Sequence, residues 1–382
     1  MAAGGASVID LADLAIVTTA ACNLHCSYCC AGGRPGRSAP WPSVRAAIDA
    51  LLASPASRVQ VLFTGGEPLL EWPLVRRAVA YLETHRRRAQ HIHYTLLSNG
   101  LLLGARTLGW LERHAFDVRL SLDGIREAQD ARSTGTFDVL DALIRRIRQR
   151  SPAYFHKHVG VTMTLTPRAV GSLAESVNYL LDAGIATIRA APAMDVPPGR
   201  GDPAAELWRQ IDVVYRRSLE HFTATGEVPF VPFRRNPLVE RRRGRAHTCG
   251  ATTGRAMAVD ADGEVSPCLL ATRTYTDARP LPADVRMAVA AMRAGPAEGD
   301  VAAGLDEARR RVRRLPVFAA GGRRRSPYGA CSRCRWRHEC AICPLASVST
   351  TGKDRAFLVP AFACAFNQAT AACRAQFPMV IS

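Results

Sequence analysis

Short apolar runs alternate along the first half of the chain with longer stretches whose apolar positions recur every three or four residues. The short runs, rich in Val, Ile, Leu and Thr, predict strands over 14–19, 59–63, 92–97, 117–122, 159–166 and 186–191. The amphipathic stretches between them predict helices over about 42–53, 70–86, 104–114, 136–149 and 170–184. Strand and helix in strict alternation imply a parallel sheet with helices packed on it. Six such units are too few for the usual eight-fold closed form, so the expected fold is α/β, a partial (β/α)6 TIM-like barrel spanning about 10–195. Later in the chain, "AMAVDADGEVSP" (256–267) reads as a β-hairpin turning at "DADG".

In barrels of this kind the working residues sit where strands end and loops begin, on one rim. The unusual segments of this chain fall there. The cysteines Cys22, Cys26 and Cys29 follow the first strand, "TGGEP" (64–68) the second and "SNG" (98–100) the third, while "SLDG" (121–124) ends the fourth. Singly, each of the last three is an ordinary turn or strand exit. Their order on one rim is what makes them candidates for a site.

Composition narrows the function. The chain has 382 residues, 48% of them hydrophobic, enough for a full core and a second, smaller unit. No run resembles a membrane span and no secretory signal is expected, so the chain is read as cytoplasmic, without a membrane partner. In that compartment the 12 cysteines are better suited to metal ligation or catalysis than to disulfides. The formal charge of +17 invites a nucleic-acid reading, but the positive charge is nearly all Arg; Lys157 and Lys353 are the lysines. The basic runs, such as 241–245 and 321–326, are scattered and lack interleaved aromatics, which favours a solvated surface over a nucleic-acid partner.

The spacing Cys22-x-x-x-Cys26-x-x-Cys29 places three thiolates on one loop. Three sulfurs can hold a [4Fe-4S] cluster with one iron left open, since such a cluster ordinarily takes four cysteines. They can also hold zinc, with His25 as a fourth ligand. A structural zinc would leave the glycine-rich and polar turns of the same rim unexplained. Cys30 falls outside the spacing and is expected to be a small buried hydrophobe.

Taken with "TGGEP", "SNG" and "SLDG", the CxxxCxxC loop resembles that of the radical S-adenosylmethionine (SAM) superfamily. The resemblance implies a [4Fe-4S] cluster on Cys22, Cys26 and Cys29 that SAM completes through its amino and carboxylate groups. One electron from the cluster then breaks a carbon–sulfur bond and releases a 5'-deoxyadenosyl radical, which takes hydrogen from the substrate. It further implies that Thr64, Gly65, Gly66 and Glu67 receive the SAM ammonium and that Ser98 and Asn99 line the cofactor. Ser121 and Asp123 would meet its carboxylate or ribose, Tyr28 would pack near adenine, and Arg132 would face the carboxylate. The glycines are read as letting backbone approach the ligand closely.

A second group of thiols follows the hairpin region: Cys249, Cys268, Cys331, Cys334, Cys340, Cys343 and Cys364. Paired CxxC knuckles alone are compatible with a zinc ribbon. Seven cysteines in this order behind the barrel resemble the SPASM extension of radical SAM enzymes, which binds two auxiliary [4Fe-4S] clusters. Two residues separate Cys340 from Cys343 where that pattern usually has three. By the same resemblance Cys249, Cys268 and Cys343 serve one cluster and Cys331, Cys334, Cys340 and Cys364 the other. The fourth ligand of the first is open, with His247 and substrate among the candidates, and Cys373 is unassigned. The expected organisation is a barrel at 10–195, a helical connector at 196–248 and the SPASM unit at 249–375.

The function implied is hydrogen abstraction from a ribosomally made peptide undergoing crosslinking or oxidation, with an auxiliary cluster taking the second electron. A ferredoxin or flavodoxin would be the electron donor. With about a dozen residues before the first strand, peptide recognition is expected to fall to a separate protein or to 196–248. A small-molecule dehydrogenase and a sulfatase-maturing oxidase are the enzymatic alternatives. The second is disfavoured because Leu269 and Leu270, rather than an acid, follow Cys268. A zinc-binding adaptor is the non-enzymatic one.

Overall fold

A computed structural model describes residues 10–31, 36–193, 202–234, 250–277, 281, 283–314, 333–336, 340 and 361–377. One sheet of nine strands runs through them, in the order β6-β5-β4-β3-β2-β1-β7-β8-β9. Six strands form the parallel part: β1 (Asp13–Thr19), β2 (Arg58–Gly65), β3 (His91–Ser98), β4 (Asp117–Ser121), β5 (Val159–Leu165) and β6 (Ile188–Pro192). The order is linear, so the barrel is open, as the six-unit pattern implies.

Period-two alternation decides which face each side chain meets. Ile16, Phe63, Leu96, Val118 and Val159 stand in register across five strands, all at 2% exposure or less. They face the helices α1 (Trp41–Leu52), α2 (Trp72–His85), α3 (Ala105–Arg113), α5 (Phe137–Arg150) and α7 (Leu173–Asp182). Each helix answers with a stripe at helical spacing, such as Val44, Ala47, Ile48 and Leu51 on α1, or Leu140, Leu143, Ile144 and Ile147 on α5. The alternate strand positions form the concave face, which carries Thr95, Arg119, Ser121, Thr162, Thr164 and Arg189. That face is polar where the opposite one is not.

Within the barrel two helices fall in stretches whose sequence predicts no element: α4 (Arg126–Arg132) and α6 (Pro152–His158). Neither is long enough to show an apolar period. α4 buries only Ala128 and Gln129, and α6 is started by Pro152 and held by Tyr154 and Phe155. β6 begins two residues later than the sequence pattern suggests. Beyond it, α8 (Pro203–Thr225) is capped by the Asp202 carboxylate, which accepts from the Ala204 and Ala205 N–H groups at 3.0 Å, and stops at Gly226 with φ 76°.

The expected hairpin is present as β7 (Ala256–Val259) and β8 (Glu264–Ser266), with β9 (Gly295–Pro296) beside it. β7 lies against β1 in parallel, Leu14 opposite Met257, so the hairpin extends the barrel's own sheet. A last helix spans Ala361–Gln376. Among the described residues no helix is long and apolar enough to cross a membrane. Cys249, Cys331, Cys343 and His247 lie outside the described residues.

Candidate active site

A cavity of about 550 Å³ opens where the parallel strands end. Cys22, Cys26 and Cys29 all line it, from the loop that leaves β1. That loop is shaped locally and tied down remotely. The Cys29 N–H donates to the Cys26 carbonyl at 3.0 Å, closing a turn. Ser27 is fastened to α4, its N–H on the Arg132 carbonyl (3.2 Å) and its hydroxyl on that of Ala131 (2.8 Å). Here the short helix that the sequence pattern hides acts as the anchor of the cysteine loop.

Gly65 and Gly66 also line the cavity, but what they approach most closely is protein backbone. The Gly66 N–H donates to the Thr19 carbonyl at 2.8 Å and the Glu67 N–H to that of Ala21 at 2.9 Å. A Cβ on Gly66 would stand 2.1 Å from the Ala21 oxygen, and one on Gly65 2.3 Å from the Thr19 oxygen, with φ at 139° besides. The glycine pair therefore stitches the exit of β2 to the start of the cysteine loop.

Glu67 and Ser98 stand outside the cavity lining and act as struts. The Glu67 carboxylate, 0% exposed, accepts from the Leu69 N–H (3.0 Å), the Ser98 hydroxyl (2.8 Å) and the Asn99 N–H (2.8 Å). Burial pushes its pKa up against the pull of these three bonds. Asn99 does reach the cavity; its amide donates to Asn23 Oδ1 at 2.7 Å within the cysteine loop. Thr64 and Ser121 reach it too.

Tyr28, Asp123 and Arg132 form one charged cluster. The Tyr28 hydroxyl donates to Asp123 Oδ2, the Thr164 N–H donates to Asp123 Oδ1 at 2.8 Å, and Arg132 Nη1 lies 3.5 Å from the same carboxylate. The guanidinium sits over the Tyr28 ring, 5.8 Å from its centre. Burial raises the pKa of Tyr28 and of Asp123. For Arg132 burial pulls downward, and Tyr28 and Asp123 more than restore the charge. Arg132 lines the cavity, and its Nε is buried with no hydrogen-bond partner. Asp123 itself is turned to this cluster and does not line the cavity.

The rest of the wall includes residues that the motifs do not reveal. Thr162 and Thr164 come from β5, and their alternation with Val161 and Met163 is the signal that could have exposed them. Leu270 and Tyr275 come from the stretch after the hairpin, and Ala363, Phe366 and Asn367 from the last helix. Tyr275 is positioned by Asp260 in the hairpin turn, whose carboxylate accepts from the Ala261 N–H, the Thr274 N–H and the Thr274 hydroxyl. The Tyr275 hydroxyl lies 3.3 Å from Thr64 Oγ1, and burial raises its pKa. Nothing in its local sequence marks Tyr275.

The donor set fits an iron–sulfur group: three soft thiols on one wall of a cavity, with unpartnered polar atoms at Arg132 Nε and Thr162 Oγ1 nearby. Among the described residues no three His, Cys, Asp or Glu side chains are arranged to hold a single metal ion. What the three thiols share is a wall rather than a point. Of the second group, Cys268, Cys334, Cys340 and Cys364 are described. Cys364 stands on the last helix beside Ala363, where the Gln368 amide donates to its sulfur at 3.2 Å. Cys30 packs against the small cluster of Val17, Ala20, Ala31, Ala261 and Tyr275, and also reaches the cavity. The Cys373 thiol packs against the main core and is pushed up to about 11 by burial.

Known proteins resemble this arrangement in sequence and in fold. An uncharacterized protein of Methanocaldococcus jannaschii is 28% identical over 183 residues, 47% of this chain and 62% of its own. A GTP 3',8-cyclase of Mycobacterium ulcerans is 35% identical over 138 residues, 34% of this chain and 37% of its own. Both matches thus span less than two thirds of the relative's length. Among solved structures, native anSMEcpe with bound AdoMet and Cp18Cys peptide superposes with a TM-score of 0.71 at 18% identity, covering 94% of this chain and 95% of that one. The likeness in fold therefore reaches beyond the barrel. Residues 16–176, which carry the thiol loop and most of the rim, match the family model of the radical SAM superfamily.

Proposed function

We propose that the protein is a radical SAM peptide maturase in which Cys22, Cys26 and Cys29 hold a [4Fe-4S] cluster completed by SAM, and a peptide side chain gives up hydrogen in the cavity. The observation that carries this reading is the composition of one cavity: three thiols from the first barrel loop on one side, and Leu270, Tyr275, Phe366 and Asn367 from the segments after the barrel on another. Bound there, the cluster and SAM supply the electron and the carbon radical. The chain's own residues supply binding, orientation and exclusion of water. Arg132, held at full charge by Asp123 and Tyr28, offers a guanidinium to a carboxylate. Gly65, Gly66 and Asn99 fix the thiol loop against β2 and β3, and Leu97, Ala190, Ala191 and Phe366 keep the cavity apolar beside it.

The peptide as substrate draws support from the bound peptide in anSMEcpe, whose fold this chain shares along nearly its whole length. In the same reading Cys249, Cys268 and Cys343 hold one auxiliary cluster and Cys331, Cys334, Cys340 and Cys364 another. A barrel at 10–195, a connector at 196–248 and a cluster-binding unit at 249–375 describe the division of labour, and a ferredoxin or flavodoxin supplies electrons. Anaerobic reconstitution should load about twelve irons per chain. The reduced protein should convert SAM to 5'-deoxyadenosine, detected by chromatography, and Cys26→Ala should abolish the product. Product from the Cys26 variant, or zinc in place of iron, would overturn the proposal.

A further inference from the structure

A second hollow lies outside the barrel, on the helical layer. It holds about 500 Å³ between α2 and α3 and shares no residue with the thiol cavity. Two helix flanks make it. On α2 the core takes Val75, Ala78, Val79 and Leu82, and the flank beside them carries Trp72, Arg76, Ala80 and Glu83 at three- and four-residue spacing. On α3 Leu108 and Leu111 face the core, and Trp110 and His114 stand on the flank. Trp72 meets Trp110 edge to face, ring centres 4.9 Å apart, and His114 Nδ1 lies 2.8 Å from Glu83 Oε1. Ala80, between those two contacts along α2, adds little bulk, which leaves a groove floored by aromatic rings.

Both helices begin where a strand ends, so the groove starts at the rim and runs toward the opposite end of the barrel. At its rim end stand two large exposed apolar side chains, Leu70 in the turn Pro68–Glu71 before α2 and Leu102 three residues before α3, exposed by 41% and 42%. Gly66, in the wall of the thiol cavity, is four residues from Leu70. The groove's charge is one-sided. Glu83 is engaged by His114, and Arg77 is stacked on Trp41 at 4.1 Å. Arg76 in the lining and Arg106, one turn before Trp110 on the same face of α3, are exposed. Among the described residues neither makes a hydrogen bond or an ion pair. Aromatic rings beside guanidinium groups are the make-up of protein-recognition surfaces.

We infer that this groove holds a segment of the peptide substrate remote from the reacting residue, with apolar side chains against Trp72 and Trp110 and acidic ones against Arg76 and Arg106. This inference rests on the peptide-maturase reading above. A second copy of the chain is a poor occupant, because each copy carries a formal charge of +17. A nucleic acid is a poor one as well, because the Glu83 carboxylate in the lining opposes a phosphate chain. Anchored beside the rim, the segment keeps the reacting residue at high effective concentration near the cavity.

The test measures, by calorimetry, binding of N-acetyl-Glu-Leu-Glu-Leu-Glu-amide to the reconstituted, SAM-loaded protein, against one counterpart with Lys for Glu and another with Ser for Leu. The Glu-Leu peptide should bind about tenfold or more tighter than either counterpart. Its advantage over the Lys peptide should fall to about twofold or less in the double variant Arg76→Glu, Arg106→Glu, two exposed sites whose exchange leaves the circular dichroism spectrum unchanged. Equal binding by the three peptides, or an advantage retained in the double variant, would overturn the inference. Tighter binding of a ten-residue oligothymidylate would overturn it in favour of a nucleic acid. A dimer that sediments as such and is broken by the double variant would overturn it in favour of a second copy. Binding is read without turnover, so a protein that releases no 5'-deoxyadenosine sinks the maturase proposal separately.

Discussion

A single methyl group at position 66 would collide with the Ala21 carbonyl oxygen at 2.1 Å; the methyl is fixed rigidly to its Cα and the oxygen belongs to the main chain. Neither can swing aside, so Gly66→Ala should cost about 2 kcal/mol or more of stability in a urea titration and lower the iron retained on reconstitution. Gly171→Ala, at a position with nothing within 4 Å, should change stability by less than about 0.5 kcal/mol. Similar losses in the two variants would refute the stitching role. At this scale the sequence was legible as chemistry more than as geometry. "TGGEP" stands out as a motif, and two of its glycines do line the cavity. Only the fold shows that Gly66 spares a backbone contact and that Glu67 braces Ser98 and Asn99. Those partners lie about thirty residues or more away in sequence, and a motif carries no record of them.

Elements with a strong period were readable; elements held by remote contacts were not. β1 to β6 and the long helices announce themselves by alternation and by stripes, because one face of each is buried against a single apolar layer. α4 has almost no apolar face, and its worth lies in the two carbonyls it offers to Ser27. The short helix Arg273–Thr276 is a similar case: it carries Tyr275 to the cavity and depends on Asp260. Asp260→Ala removes the acceptor for the Thr274 N–H and hydroxyl, all in a buried setting. It should cost about 2 kcal/mol by chemical denaturation and weaken SAM binding measured by equilibrium dialysis. Unchanged stability would show that the helix is held by packing alone.

Across the whole molecule the unreadable feature was the neighbour of β1. Local pattern predicts the β7–β8 hairpin, yet which strand β7 then joins is a pairing between residues more than two hundred positions apart, Asp13 with Ala256. Strand order has no local signature. The outcome makes β1 and β2 interior members of the sheet, with β6 and β9 at its edges. Amide hydrogen exchange followed by mass spectrometry should therefore be slowest in β1 to β3 and fastest, among the strands, in β6 and β9. Rapid exchange in β1 would contradict its place between two parallel partners.

The cavity draws its thiols from the first loop of the barrel and part of its wall from the helix Ala361–Gln376. Ribosomes release a chain in that order, so the sulfurs emerge long before Phe366 and Asn367 can settle over them. The wall of the cavity is thus completed only when the last helix docks, after the thiol loop has been made.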